Sequence, residues 1–569
     1  MFRLPLPFQP APNLYRARPE DVPPWAEQGN FRFVRLDGGQ IESWKAERTW
    51  WGRHFSADEK QVLAHIYDRY FDLMLSLLQQ AEFNWIWVTW SSGWSLEDEG
   101  ENRAALKNVI ARCHEHGIHV SAYLSAVNMF RSSAWRGDPE TRHYGLWMHG
   151  IPMFYAGPAW PGLRISWDRR LADARHPGWR AYLLNKAELA MDAGVDAIFW
   201  DNLIGYNQGL AQLLDETQRM AERRARQTGR PKVVVYANVH LSPGRFGMND
   251  INEVIWEEAG KDTPGVWDGH WQVDNARKIK FLCGEKQLWQ PLLYENDLCH
   301  GGPRERCIPS PAEQMLSIAE AYAFGAAFSR NLEGRFLCAL IHGKPEARAA
   351  WSAIAQYNRF LTRHRELYHQ AQPAARIALL SAKPYNPLAD QFLRQSIFFE
   401  TKVLAHLEKG IPLDRFKVLV LPPGLPRLDA GQKARLEAFA GAGGVIVRPE
   451  NAGPEIAARA EAAADGPRLR LEPRGCVLGQ LTRKPGGRML ILHLLNYDHL
   501  APAHAVKIRL DLRGLVQNLA GWQVQALSPD AGPPRLAGLS LDGSTAAFAL
   551  GPIEHYTVVT LSAPPVAKS

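Results

Sequence analysis

The stretch GWRAYLLNKAELAMDAGVDAIFWDN, residues 178–202, decides the fold because it holds one complete helix-and-strand unit. A helical pattern runs to Gly194, and the apolar run that follows predicts a buried strand that ends at Asp201. A carboxylate at the end of a strand buried on both faces is costly unless it is paired or hydrogen-bonded. An isolated aspartate at this place would cap the next helix or form a salt bridge. The function of Asp201 therefore depends on which residues the rest of the chain places beside it.

The same alternation of strand and helix patterns extends from residue 31 to about 335. Helical patterns separate the strands, including one continuous helix predicted over 56–82, and a long insertion at about 128–175 follows the third strand. The predicted strands lie within 31–39, 84–94, 118–127, 195–201, 231–239, 252–260, 286–296 and 326–332. Such a series without hairpins requires parallel strands with right-handed crossovers, and eight units predict an α/β fold of the (β/α)8 TIM barrel type. An open doubly wound sheet is the alternative, but no glycine-rich phosphate loop follows an early strand.

The chain changes character after the barrel. Residues 371–465 have a β-α-β-α-β pattern, which predicts a small flavodoxin-like α/β domain without a nucleophile or metal cluster of its own. Residues 466–569 contain short alternating strands separated by Gly and Pro turns, which predicts an antiparallel β-sandwich. The barrel domain is accordingly predicted to occupy residues 1–370.

Composition excludes several classes of function. The 569 residues carry 66 basic and 59 acidic side chains, but no basic stripe with interleaved aromatic residues that would predict nucleic-acid binding. No apolar run approaches the roughly 18 residues needed to cross a bilayer, and the start of the sequence lacks the apolar segment of a secretory signal, so we expect no membrane contact and a cytoplasmic location. The six cysteines do not form a disulfide framework, and Cys299 and Cys307 are expected to be free thiols.

Active sites of (β/α)8 barrels lie at the carboxyl ends of the strands, so the polar residues at which each strand stops are the candidate site. They are Arg35, Asp37, Thr89, Trp90, Ser91, Tyr123, Ser125, Asn128, Asp201, Asn202, Tyr236, Asn238, Trp256, Glu257, Glu258, Tyr294, Glu295, Asn296, Ser329, Arg330 and Asn331. This mixture of acids, amides and aromatic rings suits a polyhydroxylated ligand. The 20 tryptophans of the chain point the same way, since a flat indole face packs well on a sugar ring.

Cleavage of a glycosidic bond requires two carboxyl groups, one protonated and one ionised. Asp201 ends the fourth strand, while Glu257 and Glu258 end the sixth, so side chains from these two strands can face each other across the barrel mouth. Only one of the two adjacent glutamates can face the mouth, and we slightly favour Glu257. The predicted substrate-binding residues are Trp90, Trp94, Tyr123, Asn128, Asn202, Tyr236, Asn238, Trp256 and Arg330.

The sequence predicts no metal or other cofactor. The segment HEHGIH, with His114, His116 and His119, lacks the HExxH spacing of a zinc site and is expected to be a solvated helix end on the far face of the barrel. The acidic segment LEDEGEN, residues 96–102, lacks the spacing of an EF-hand loop and is expected to begin a helix.

The segments ENRAALKNVIARCHEHGIHVSAYLSAV, residues 101–127, and GWRAYLLNKAELAMDAGVDAIFWDN resemble hypothetical glycosyl hydrolase barrels and the α-galactosidase and α-fucosidase groups. The order of the three predicted domains resembles glycoside hydrolases that have the trimerisation-type middle domain of bacterial β-galactosidases. The resemblance implies that Asp201 is the nucleophile, that the acid/base comes from strand six, and that configuration is retained. It also implies self-association, as a dimer or trimer, through the middle domain.

The chain departs from the β-galactosidase pattern at one point. Those enzymes have an Asn-Glu pair on strand four and a nucleophilic Glu on strand seven, whereas this chain has Asp201 followed by Asn202 but keeps Glu295. Our first hypothesis is therefore a glycoside hydrolase that acts on oligosaccharides or glycosides through Asp201. The alternatives are a β-galactosidase-clan hydrolase that uses Glu295, and a carbohydrate-binding pseudoenzyme without activity.

Overall fold

The computed structural model describes residues 14–48, 55–148, 151–156, 165–202, 207–238, 248–258, 264–267, 270–287, 289–296, 308–332, 334–448, 455–530, 532 and 534–564. These parts of the chain form two compact units. The first lies within Met1–Lys261, Gln287–Pro309 and Ala327–Asn358, and the second lies within Asp262–Lys286, Ser310–Ala326 and Arg359–Ser569. The domain bounds inferred from the sequence stay predictions, and Cys299 and Cys307 lie outside the described residues.

The first unit contains a closed barrel of eight parallel strands, so the predicted (β/α)8 fold is confirmed. Each strand pairs with the next one along the chain, and the last strand pairs with the first. The strands are β1 (Phe33–Leu36), β2 (Trp85–Ser91), β3 (His119–Ser125), β4 (Ala197–Asp201), β5 (Val234–Asn238), β6 (Ile255–Glu258), β7 (Leu292–Asn296) and β8 (Ala327–Leu332).

Aromatic rings fill the barrel interior. The ring of Trp87 on β2 lies 4.6 Å from Phe199 on β4 and 5.9 Å from Trp256 on β6, centroid to centroid. Phe199 and Trp256 are 4.7 Å apart. Since β2 and β6 lie on opposite sides of the barrel, these rings meet across its axis. Many of the tryptophans that the sequence places near strand ends are therefore core residues, as is usual for large buried rings.

Helices separate most of the barrel strands. The predicted helix over 56–82 is two helices, Ala57–Ala64 and Phe71–Gln80. The side chain of Asp68 accepts hydrogen bonds from the backbone N–H of Arg69 and from the His65 ring, and such local bonds compete with helical ones. The other helices of this part of the chain are Pro24–Glu27, Gln40–Arg48, Gly100–Glu115, Arg131–Gly137, Pro177–Asp192, Asn207–Thr228, Asp274–Glu285, Pro311–Ala323, Gly334–Ile341, Pro345–Arg363 and Arg365–Tyr368. None of the helices within the described ranges is both long enough and apolar enough to cross a bilayer.

The insertion after β3 folds into small elements of its own. Its three-stranded antiparallel sheet has the order Asn128–Phe130, Ile165–Leu171, Phe154–Ala156. The helix Arg131–Gly137 follows the first of these strands directly.

The second unit holds the rest of the predicted fold. Its parallel sheet has the order Phe399–Val403, Ile377–Ser381, Val418–Val420, Val445–Val447, which is the flavodoxin-like order 2-1-3-4, with the helices Pro387–Arg394, Ala430–Gly441 and Glu455–Ala464. Two antiparallel sheets follow, and apolar side chains from both form one core, among them Leu492, Ile508 and Phe548. Their strands are Gln372–Pro373, Val477–Arg483, Met489–Asn496, Tyr556–Ser562 and Gln523–Leu527 in one sheet, and Arg468–Glu472, Val506–Asp511, Thr545–Gly551 and Arg535–Asp542 in the other.

Candidate active site

Asp201 is the centre of a hydrogen-bonded cluster at the carboxyl end of β4. Its Oδ2 accepts hydrogen bonds from Tyr123 Oη at 3.0 Å and from Asn202 Nδ2 at 2.8 Å. Its Oδ1 accepts from Asn238 Nδ2 at 3.0 Å. Three consecutive barrel strands thus hold one carboxylate by both oxygens, and the residue remains partly exposed at the barrel mouth. The sequence-predicted residues Tyr123, Asn202 and Asn238 are brought together around Asp201.

Asn202 owes its position to an unusual backbone. Its φ of +56° lies in the left-handed region, which asparagine tolerates better than most residues. This conformation turns the side chain back so that Nδ2 also donates to Tyr123 Oη at 2.9 Å, while Oδ1 accepts from Arg169 Nη2 at 3.4 Å. Non-glycine residues in this region often mark functional sites.

Tyr123 serves as a neutral donor. Burial, and then the negative charges of Asp201 and Glu42, raise its pKa well above the usual value, while the charges of Arg169 and Arg35 act in the opposite direction. The hydroxyl therefore stays protonated and donates to the carboxylate. Its ring stacks on Trp87 at 4.8 Å with an interplanar angle of 13°, which fixes the direction of the hydroxyl.

A second acidic cluster surrounds Arg35 on β1. Arg35 Nε donates to Asp37 Oδ2 at 2.9 Å, and Arg35 Nη1 donates to Glu295 Oε1 at 3.2 Å. The guanidinium lies over the Trp87 ring at 4.3 Å, and Glu295 is fully buried. Two carboxyl groups thus share one guanidinium, and burial raises the pKa of Asp37 despite the opposing charge of Arg35. Burial thus opposes the ionisation of Asp37, while Arg35 favours it.

The strand register separates the two glutamates of β6. Trp256 packs into the barrel interior against Phe199 and Trp87. Neighbouring residues in a strand lie on opposite faces, so Glu257 is on the outer face, where it is buried. This arrangement gives no support to the preference for Glu257 over Glu258, since Glu257 does not share the inner face with Trp256. The sequence alone did not show which face Trp256 occupies. Position 258 pairs in register with Glu295 on β7.

The two predicted stacking tryptophans are buried in contacts within the protein. Trp90 donates from Nε1 to the backbone oxygen of Lys186 at 3.1 Å, so it lies in the layer between barrel and helix. Trp94 stacks on Phe130 at 4.1 Å with the rings nearly parallel. Neither indole joins the cluster around Asp201.

The remaining predicted substrate-binding residues are also buried. Tyr236 lies two residues below Asn238 on β5 and bonds with Ser121 Oγ at 2.7 Å, which places it deeper in the barrel. Arg330 shares a face of β8 with Phe328, at 5.2 Å from that ring. Asn128 begins the first strand of the insertion and has no exposed surface.

Two contacts of the site could not be inferred from the sequence. Asp37 follows β1 directly, and its place at a strand end marked it in the sequence, but nothing there showed that it shares Arg35 with Glu295. Arg169 comes from the insertion, and no sequence pattern connected it with Asn202. Residues 203–206, 239–247, 259–263 and 297–307, which follow four of the barrel strands in the sequence, lie outside the described residues.

Two of the solved structures with a similar fold are an α-L-fucosidase and a glucanotransferase. An α-L-fucosidase isoenzyme from Paenibacillus thiaminolyticus superposes with a TM-score of 0.62 at 14% identity, over 94% of this chain and 100% of that chain. A cycloisomaltooligosaccharide glucanotransferase from a Paenibacillus species has a TM-score of 0.50 at 10% identity, over 94% of this chain and 85% of that chain. No protein-family model and no curated protein sequence matches the chain. At these identities the similarity establishes the fold, which agrees with the resemblance found in the sequence.

Proposed function

We propose that the protein is a glycoside hydrolase that acts on oligosaccharides or glycosides, with Asp201 as the nucleophile. The observation that carries this proposal is the cluster of neutral donors around the Asp201 carboxylate. Hydrogen bonds from neutral donors orient a carboxylate and favour its ionised form. Asp201 lies at the carboxyl end of a barrel strand, where enzymes of this fold carry out their chemistry.

The acid/base in this proposal is Glu258. Position 258 has the same strand parity as Trp256, which lies on the inner face of the barrel, and it pairs with Glu295 of the Arg35 cluster. A retaining mechanism requires a carboxyl separation of roughly 5–5.5 Å from Asp201, and an inverting one roughly 6.5–9.5 Å. The retaining mechanism is our proposal. Asp37 is a second candidate for the acid, since burial raises its pKa.

Hydrolysis of a panel of nitrophenyl glycosides by the purified chain tests the activity, and azide rescue tests the residue assignments. Azide should restore turnover in Asp201→Gly and give a glycosyl azide of inverted configuration, because azide replaces the missing nucleophile. In Glu258→Ala, azide should attack the glycosyl-enzyme in place of water and give the retained configuration. Rescue of Asp37→Ala instead of Glu258→Ala would transfer the acid/base assignment to Asp37.

The two alternatives make different predictions for Glu295. Its carboxylate is fully buried and paired with Arg35, an arrangement that fits a supporting residue better than an attacking one. Azide rescue of Glu295→Gly together with an active Asp201→Asn would favour the β-galactosidase-clan alternative. Binding of saccharides without turnover of any glycoside would favour a pseudoenzyme.

Self-association and a cytoplasmic location are further parts of the proposal. The small parallel α/β sheet resembles the domain that mediates trimers in the resembling families. Sedimentation should show a dimer or trimer at micromolar concentration. A single species at the 64.0 kDa of one chain would contradict self-association.

A further inference from the structure

In the insertion after β3, two arginines lie against a small group of aromatic rings and both contact Trp135. The Arg170 guanidinium carbon lies 5.7 Å from the centre of the Trp135 ring and 4.8 Å from that of Trp147. The Arg131 guanidinium carbon lies 5.4 Å from Trp135 and 5.3 Å from Phe154. Both positive charges therefore flank the same indole.

Some of the buried nitrogen atoms of these guanidinium groups have no hydrogen-bond partner among the described residues. Arg170 is only 6% exposed, and its Nε and Nη2 have no hydrogen-bond partner among the described residues. The same holds for Arg131 Nε. Burial, and then the charge of Arg131, lower the pKa of Arg170. Contacts with aromatic rings offset only part of the cost of burying such a charge, so an anion would relieve the remainder.

The acids of the insertion do not supply that anion. Asp138 accepts hydrogen bonds from Leu96 N and Tyr182 Oη, and Asp168 pairs with an arginine outside the insertion. Asp173 pairs with Arg175. Glu140 is solvent-exposed and forms no ion pair within the described residues. The segments of the insertion outside those residues, 149–150 and 157–164, read HG and GPAWPGLR and contain no Asp or Glu.

Gly145 makes room for the Arg170 guanidinium. A Cβ at this position would lie 2.4 Å from Arg170 Cζ, closer than any real contact. The φ of Gly145 is −65°, which any residue can adopt. Glycine is therefore required here for the close approach of the guanidinium, and the backbone forms one side of its cradle.

We propose that Arg131 and Arg170 form a binding site for an oxyanion, the carboxylate, sulfate or phosphate group of an acidic saccharide. Guanidinium groups bind such oxyanions through paired N–H donors, and the rings of Trp135 and the 53%-exposed Trp147 offer apolar faces beside them. The neighbouring residue Arg169 contacts Asn202 of the candidate active site. The acidic-saccharide identity of the ligand rests on the proposed function, whereas the oxyanion chemistry rests on the arginine pair alone.

Titration calorimetry on the full chain tests the site. The probes are sodium glucuronate, sodium galacturonate, sodium sulfate and sodium phosphate, with glucose as the neutral comparison and ionic strength held constant with sodium chloride. Arg170→Met should weaken binding of the acidic probes at least tenfold. Gly145→Ala should weaken it similarly while every charge is retained, because the added Cβ displaces the guanidinium. Arg136→Met is the matched control, since Arg136 is an exposed residue of the same insertion paired with Asp98.

Each outcome decides one part of the proposal. Arg170-dependent binding of a uronate, without binding of glucose, supports an acidic-saccharide site. Arg170-dependent binding of sulfate or phosphate alone supports the oxyanion site and rejects the saccharide as its source. If no probe distinguishes the folded Arg170→Met and Gly145→Ala variants from Arg136→Met, the oxyanion site is rejected. Binding requires no turnover, so repeating the titrations with Asp201→Asn separates a failure of this site from a failure of the proposed hydrolase activity.

Discussion

Asp196 and Asp201 lie at opposite ends of β4, and their surroundings differ. Asp196, just before the strand, has charged or chargeable partners: His114 Nε2 lies 2.8 Å from its Oδ2 and His119 Nδ1 lies 3.3 Å from its Oδ1. At the other end, three neutral groups donate hydrogen bonds to Asp201: one hydroxyl and two amides. Two of the three histidines that the sequence presents as a solvated helix end, His114 and His119, thus contact an aspartate.

The comparison shows how the same residue type serves two purposes. Burial raises the pKa of Asp196, but the hydrogen bonds from His114 and His119 outweigh it and lower the pKa to about 2. That arrangement stabilises the amino-terminal face of the barrel. Neutral donors at the carboxyl-terminal face hold the Asp201 carboxylate in one orientation. Four measurements test this division.

The largest effect is expected for Asp201→Asn. Loss of the ionised carboxylate should lower kcat by at least about a thousandfold with the fold intact, because the amide cannot attack carbon. Asp196→Asn is the matched control and should keep kcat within about twofold of the parent for the folded fraction. Activity of Asp201→Asn within tenfold of the parent chain contradicts the nucleophile assignment.

The next effect is expected for Tyr123→Phe. A hydrogen bond to a charged group contributes about 1.5–3 kcal/mol, so its loss should lower kcat/KM by roughly ten- to a hundredfold. Tyr236→Phe removes a hydroxyl that bonds with Ser121 deeper in the barrel, and it should affect stability more than turnover. Equal kinetic losses in both variants would mean that Tyr123 acts through packing alone.

Asp196→Asn should lose about 2 kcal/mol of the free energy of unfolding at neutral pH. The pKa shift of Asp196 from 3.8 to about 2, at 1.36 kcal/mol for each unit, gives this magnitude. Urea unfolding followed by circular dichroism measures the change. An unchanged denaturation midpoint would show that the two histidines contribute no stability through Asp196.

The smallest effect is the pH dependence of that same contribution. The folded-state pKa of Asp196 is depressed, so its stabilisation is present above about pH 4 and is lost as the pH falls towards about 2. Thermal melts of the parent chain and Asp196→Asn should therefore converge over this interval. A constant difference between the two curves down to pH 2 would contradict the cited shift.

The sequence predicts those features that depend on the order of elements along the chain. Alternating strand and helix patterns identify the barrel, and the position of Asp201 at a strand end identifies its place at the mouth. The choice between Glu257 and Glu258 depends on Trp256 meeting Trp87 from the opposite strand, a contact that no local pattern contains. The sequence also could not show that Trp90 is a buried residue and not a ligand-stacking one. Its hydrogen-bond partner, the backbone oxygen of Lys186, is distant in the sequence. Arg169 of the insertion contacts Asn202, which lies 33 residues later in the chain, so no local pattern contains that contact.

The stacking of Trp87 on Tyr123 gives the site an optical reporter of its own. The indole lies beneath the phenol, and the phenol hydroxyl is bonded to the Asp201 carboxylate. A ligand that alters this hydrogen bond will alter the coupling between two adjacent chromophores. Near-ultraviolet circular dichroism and tryptophan emission can therefore follow occupancy of the barrel mouth without any added label.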